Sequence, residues 1–207
     1  MVESPSIPPS LELLLLEGRA ISELAAFFSF APLLRLTPRG DGHPVLVLPG
    51  LSGGDTSTLP LRAFLRDRGY RAHGWKLGVN RGPRPGVEAK IRLRLEELAQ
   101  RYGRKVSLIG WSLGGVFARE LARAMPQHVR CVISLGSGFG IRPTATTVGG
   151  VFERLSGMKI DDWIGLEQRQ VMRRPPPVPA TSIYSRSDGI VAWQGCLEQD
   201  GPQSENI

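Results

Sequence analysis

Residues 106–116 read VSLIGWSLGGV. An apolar run ends at Gly110, and Ser112 follows two positions later with Gly114 and Gly115 behind it. The run predicts a strand over 105–109 and the segment after it a helix over 112–125. A serine on so sharp a strand-to-helix turn is forced out at the C-terminal edge of a sheet. Only the smallest neighbours, here Gly110 and Gly114, let the two elements approach that closely. The start of the helix adds free N–H groups and the positive end of its dipole. Alone, G-x-S-x-G also reads as a Gly-rich turn with a capping serine. The strand before it and the helix after it favour an exposed nucleophile.

Outward from this turn the chain alternates between strand and helix. HPVLVLPG (43–50) is a short, fully apolar run ending at Pro49-Gly50, as suits a parallel strand buried on both faces. Thr58 is placed to cap a helix with Pro60 in its first turn and Gly69 closing it. A strand is expected over 70–76. A helix is expected over 87–102, with Val87, Ile91, Leu95 and Leu98 on one face, and another strand over 129–135. This rhythm implies an α/β fold: a mostly parallel central sheet with helices on both faces. The rhythm breaks over 136–177, which ends in the stiff run RRPPPVP and reads as a lid-like excursion over the top of the sheet. A strand resumes over 180–184. No internal repeat or interdomain linker is visible, so a single domain over 1–207 is expected, with a helical segment over 1–38.

Composition narrows the function. The 207 residues carry 26 Lys and Arg against 19 Asp and Glu, a net charge of +7. The basic residues are scattered, with pairs such as Arg92/Arg94 and Arg173/Arg174 but no block, which reads as a solvated surface and not a nucleic-acid site. Cys131 and Cys196 are far apart and no Cys/His cluster has metal spacing, so no metal or other cofactor is expected. Cys131, inside VRCVISLG, reads as a small core residue. The start, MVESPSIPPSLE, has acid and no Lys or Arg, unlike a secretory signal, and the chain is placed in the cytoplasm. Leu13, Leu16, Ala20, Leu24 and Phe27 recur at helical spacing, with Arg19, Ser22 and Glu23 opposite. They predict a helix packed on the domain; the sharper reading is a helix making weak contact with a membrane surface or lining a substrate entrance.

With these motifs in view, the chain resembles the α/β-hydrolase family, in particular its bacterial lipase and esterase branch. GWSLGG is similar to that branch's nucleophile elbow, HPVLVLPGLSG to the strand and loop that supply half of its oxyanion hole, and SIYSRSDGIVAW to the strand and turn that carry its acid. The likeness spans residues 43 to 207. It implies Ser112 as nucleophile, the backbone N–H groups of Leu51 and Leu113 as oxyanion donors, and Asp188 as the acid of the triad. The family often has His-Gly where this chain has Pro49-Gly50, but the donor there is backbone. An aspartate in S-D-G is also a common turn former, and Asp161 and Asp162 are the fallback acids.

The triad of this fold runs serine, acid, histidine. Only His43, His73 and His128 occur, all before Asp188. His43 and His128 belong to the edge of the sheet away from Ser112, and only His73 has a route toward the active edge. The resemblance therefore places the final strand, the histidine and a last helix beyond residue 207. It implies a carboxylic ester hydrolase acting through an acyl-enzyme on a small-molecule acyl ester, weak or inactive in this chain for want of its base. An acyltransferase or thioesterase on the same site, or a non-catalytic domain that binds acyl ligands, are the alternatives.

Overall fold

The computed structural model describes residues 8–139, 146–159 and 166–207. Six strands form one sheet: β1 (Pro44–Leu48), β2 (Arg71–Gly74), β3 (Val106–Trp111), β4 (Val129–Leu135), β5 (Ala180–Ile183) and β6 (Ser204–Asn206). Their order is β2-β1-β3-β4-β5-β6, and every neighbouring pair is parallel. The connections need helices, and these are α3 (Leu59–Asp67), α4 (Val87–Tyr102) and α5 (Leu113–Ala124). Two further helices, α6 (Gly149–Ser156) and α7 (Leu166–Arg173), lie in the excursion, while α1 (Leu11–Leu16) and α2 (Ala20–Leu34), joined by a 3₁₀ turn, precede the sheet.

All five residues of β1 are buried, because helices cover both faces. Leu46 and Leu48 pack with Leu108 beneath α4 and α5, while the alternate Val45 and Val47 pack beneath Leu61 and Leu65 of α3. The expected α/β architecture is the observed one.

The chain steps from β1 outward to β2 and then reverses to β3. The loops after β1 and β3 therefore leave the sheet in diverging directions, which opens a crevice between them at the carboxyl edge. The excursion touches both ends of that edge. Thr146 bridges Val191 beyond β5, and the Thr147 N–H donates to the Ile190 carbonyl. At the other end Phe152 and Ser156 of α6 close on Gly82, beyond β2.

Four details differ from the sequence reading. A final strand does not lie wholly beyond residue 207: Ser204–Asn206 pair with Ala180–Ser182, and the Asn206 side chain fastens the strand to the Glu198 backbone through both its amide groups. The N-terminal helix breaks at Gly18, and none of its residues is buried: Ile21, Phe28, Phe30 and Leu33 of α2 are all exposed. Thr58 precedes α3 but does not cap it; its hydroxyl accepts from Arg62 Nε at 3.1 Å. Cys131 is only half-buried, and its thiol contacts Ser107 Oγ at 3.3 Å. Among the described residues no helix is long and apolar enough to cross a membrane.

Candidate active site

Ser112 stands between β3 and α5 with φ 52° and ψ −120°. Left-handed φ at a residue with a Cβ is strained, and such strain persists only where the surroundings enforce it. Here the Ser112 N–H donates to the Leu135 carbonyl at 2.8 Å and its carbonyl accepts from Gly115 at 2.9 Å. The flanking glycines are steric necessities. A Cβ on Gly110 would overlap the backbone of Gly114 and Gly115, and one on Gly114 would overlap the carbonyls of Leu48 and Pro49. Gly114→Ala is accordingly expected to destabilise the fold by about 3 kcal/mol, since backbone on both sides prevents relaxation. Thermal unfolding measures this, and an unchanged Tm would show that α5 does not press on β1 as described.

The loop after β1 meets the same corner. A Cβ on Gly50 would stand 3.3 Å from Ser112 Cβ, so the backbone leading to Leu51 runs past the serine. Gly53 N–H donates to Gly50 O at 3.1 Å, and Ser52 has φ 61°, the positive third-position φ of a type II turn. The Leu51 N–H has no acceptor among the described residues, and the Leu113 N–H, at the first position of α5, lies outside the helical ladder.

Asp188 sits in the turn after β5. Its Oδ1 accepts the N–H groups of Ile190 and Val191, each at 2.8 Å. Its Oδ2 lies beside Gly136, where a Cβ would approach to 3.2 Å. Gly136 follows the Leu135 carbonyl that holds Ser112, so serine and aspartate flank the end of β4. Asp161 and Asp162 fall outside the described residues. The Asp188 turn is covered by the N-terminal segment: Glu17 accepts the Gly189 N–H at 2.7 Å, and Arg19 donates to Ser187 Oγ at 2.8 Å.

No histidine joins this group. His73 pairs in register with Leu46 on β2, two strands from β3 and below the level of Gly110, which pairs with Leu48. At 4.7–4.9 Å per strand that displacement is about 10 Å sideways alone. Its Nε2 is engaged by the Tyr102 hydroxyl at 2.9 Å, and burial, with Arg94 and Arg101 nearby, pushes its pKa down to about 4. His128 precedes β4 at the opposite edge. His43, also at that edge, makes a chain the sequence did not disclose: its Nδ1 contacts Asp41 and its Nε2 contacts Ser107 Oγ at 2.8 Å. This Ser–His–Asp chain imitates a triad but lacks what a nucleophile needs. Ser107 is 4% exposed, lies inside strand β3, and its backbone N–H and C=O belong to the sheet. Arg104 and Arg130 hold Asp41 from outside, and the hydrogen bonds from Arg130 and then His43 keep its carboxyl well below the usual range. The cluster ties the N-terminal ends of β1, β3 and β4 together.

No group of three metal-ligating side chains occurs among the described residues. Asn80, which the sequence reading passed over, is wholly buried beneath the loop after β1.

Similarity to known proteins agrees with this architecture. No protein-family model and no curated protein sequence matches the chain. Among solved structures, it superposes on the mature form of Bacillus licheniformis lipase BlEst2 with a TM-score of 0.59 at 16% identity, over 83% of this chain and 84% of that one. Paleococcus ferrophilus monoacylglycerol lipase gives 0.56 at 15% identity, over 80% and 85%. One of the metagenome-derived lipolytic enzymes LipS and LipT gives 0.57 at 16% identity, over 83% and 85%. At such identities the likeness is one of fold, a mostly parallel sheet flanked by helices shared with proteins named as lipases.

Proposed function

We propose that the chain is a serine hydrolase of carboxylic esters. One observation carries the reading: Ser112 is held in a strained left-handed turn at the carboxyl edge of a parallel sheet, beside a second loop whose Leu51 N–H has no acceptor among the described residues. As its hydroxyl attacks the ester carbonyl, its proton passes to water in the crevice for want of a side-chain base, and the N–H groups of Leu51 and Leu113 receive the oxyanion. The carbonyl re-forms, the alkoxide leaves with a proton taken from that water, and a second water adds to the acyl-serine, releasing the acid and returning the serine proton. Asp188 stands where it would orient a base, but none of His43, His73 and His128 lies beside Ser112. The likeness to proteins named as lipases favours an ester over an amide, and acyl transfer would use the same intermediate with another acceptor.

A second reading, an acyl-binding domain without turnover, is favoured by the distance of every histidine from Ser112. A fluorophosphonate probe tests the first. It is expected to label Ser112, and Ser112→Ala is expected to remove the label. A label mapped by mass spectrometry to another residue, with Ser112 untouched, would overturn the assignment.

A further inference from the structure

The loop that carries the Leu51 N–H has no regular secondary structure, yet its N–H must be held to a fraction of an ångström to receive an oxyanion. We infer that Asn80 is the positioning residue that fixes it. Asn80 is fully buried. Its side-chain Nδ2 donates to the Pro49 carbonyl at 2.8 Å, and its Oδ1 accepts the Gly82 N–H at 3.0 Å. Its backbone carbonyl accepts the Ser52 N–H at 2.7 Å, and its backbone N–H donates to the Gly53 carbonyl, also at 2.7 Å. The peptide units before and after the one bearing the Leu51 N–H are therefore both tied to this one residue. In the Gly50–Leu51 unit between them the carbonyl accepts only the Gly53 N–H of its own turn, and the Leu51 N–H, against Ser112, has no acceptor among the described residues.

The residue type follows from the bonds. The Pro49 carbonyl needs a donor and the Gly82 N–H an acceptor, and a short carboxamide offers both at once from two separate atoms. The support below is itself rigid. Trp75, buried, donates its indole N–H to the Gly78 carbonyl at 2.9 Å, and a Cβ on Gly54 would come within 3.0 Å of that same carbonyl. Asn80 touches no reacting atom. It acts through the loop, by holding a donor where charge develops.

The inference rests on the serine-hydrolase reading, and the test separates the two. Asn80→Asp keeps the shape and the Gly82 bond but sets a carboxylate oxygen against the Pro49 carbonyl; Asn80→Ala removes both bonds. Each variant is expected to lower the second-order rate of fluorophosphonate labelling at Ser112 about tenfold or more, part of the 10²–10³ that loss of a whole donor carries. Alkylation by iodoacetamide needs no oxyanion donor, so in a Ser112→Cys background Asn80→Asp is expected to leave that rate within about twofold. The Asn80→Asp deficit relative to the parent should also shrink as the pH falls, because a protonated carboxyl regains the donor to Pro49. Labelling as fast as in the parent, or labelling and alkylation falling together, would overturn the positioning role. A parent chain whose Ser112 takes no label would overturn the hydrolase reading beneath it.

Discussion

Added imidazole is expected to raise Ser112-dependent hydrolysis of p-nitrophenyl acetate by the 207-residue chain at least about tenfold, a part of the 10²–10⁴ that a positioned general base supplies. A serine nucleophile stripped of its base retains only the contribution of the oxyanion donors and binding, roughly 10³–10⁴ over water. A small diffusible base can enter the crevice and accept the serine proton. Only neutral imidazole does so, hence the rescued rate should climb through the pKa of free imidazole and level off above it. Ser112→Ala corrects for hydrolysis by imidazole itself. Fast turnover with no response to imidazole would mean that the chain contains its own base. His73→Ala would then be the next variant, although the Tyr102 bond and the distance from β3 argue against it.

The second large effect concerns stability. Arg119 of α5 and Glu198 form an ion pair 1% and 0% exposed. Arg119 also lies over the Phe139 ring at 3.6 Å and donates to the carbonyls of Met172 and Arg174. One side chain thus joins the elbow helix to both ends of the excursion and to the segment before β6. Glu198→Ala leaves a buried guanidinium without its counter-charge and is expected to destabilise the fold by about 3–5 kcal/mol. The double variant Arg119→Met, Glu198→Leu removes both charges and should recover most of that loss, since burying two ions is itself unfavourable. Among the described residues Arg119 Nε and Glu198 Oε2 have no hydrogen-bond partner, which adds to that penalty. Chemical denaturation measures both variants. A single variant within 1 kcal/mol of the parent, on the scale of exposed pairs, would show that the pair is hydrated in solution.

How far the sequence could be read follows from where each element gets its stability. β1 and β3 were legible because strands buried on both faces are apolar without alternation, and α4 because Ile91, Leu95 and Leu98 recur at helical spacing on its buried face. The Ser112 turn was legible because its geometry admits so few residues. β6 was not, since Ser204, Glu205 and Asn206 carry no apolar period and pair only because β5 offers an edge. Nor was α2, whose apolar residues fit a helical stripe while the helix that bears them buries none. Asn80 and the Asp41–His43–Ser107 chain are ordinary polar residues in sequence; contacts with residues up to 64 positions away define them.

The contact between the first helical segment and the Asp188 turn bears on the order of folding. Glu17 reaches Gly189 across 172 positions and Arg19 reaches Ser187 across 168. Closing so long a loop opposes folding with an entropy that grows as the logarithm of its length, about 0.6 kcal/mol for each doubling. Strands β1 to β4 close far shorter circuits, each through a single helix, so the serine's corner can assemble while the end of the chain is still unordered. The aspartate's turn acquires its cover only once both extremities have met. A chain released residue by residue would hold Ser112 in place early and complete the surroundings of Asp188 last.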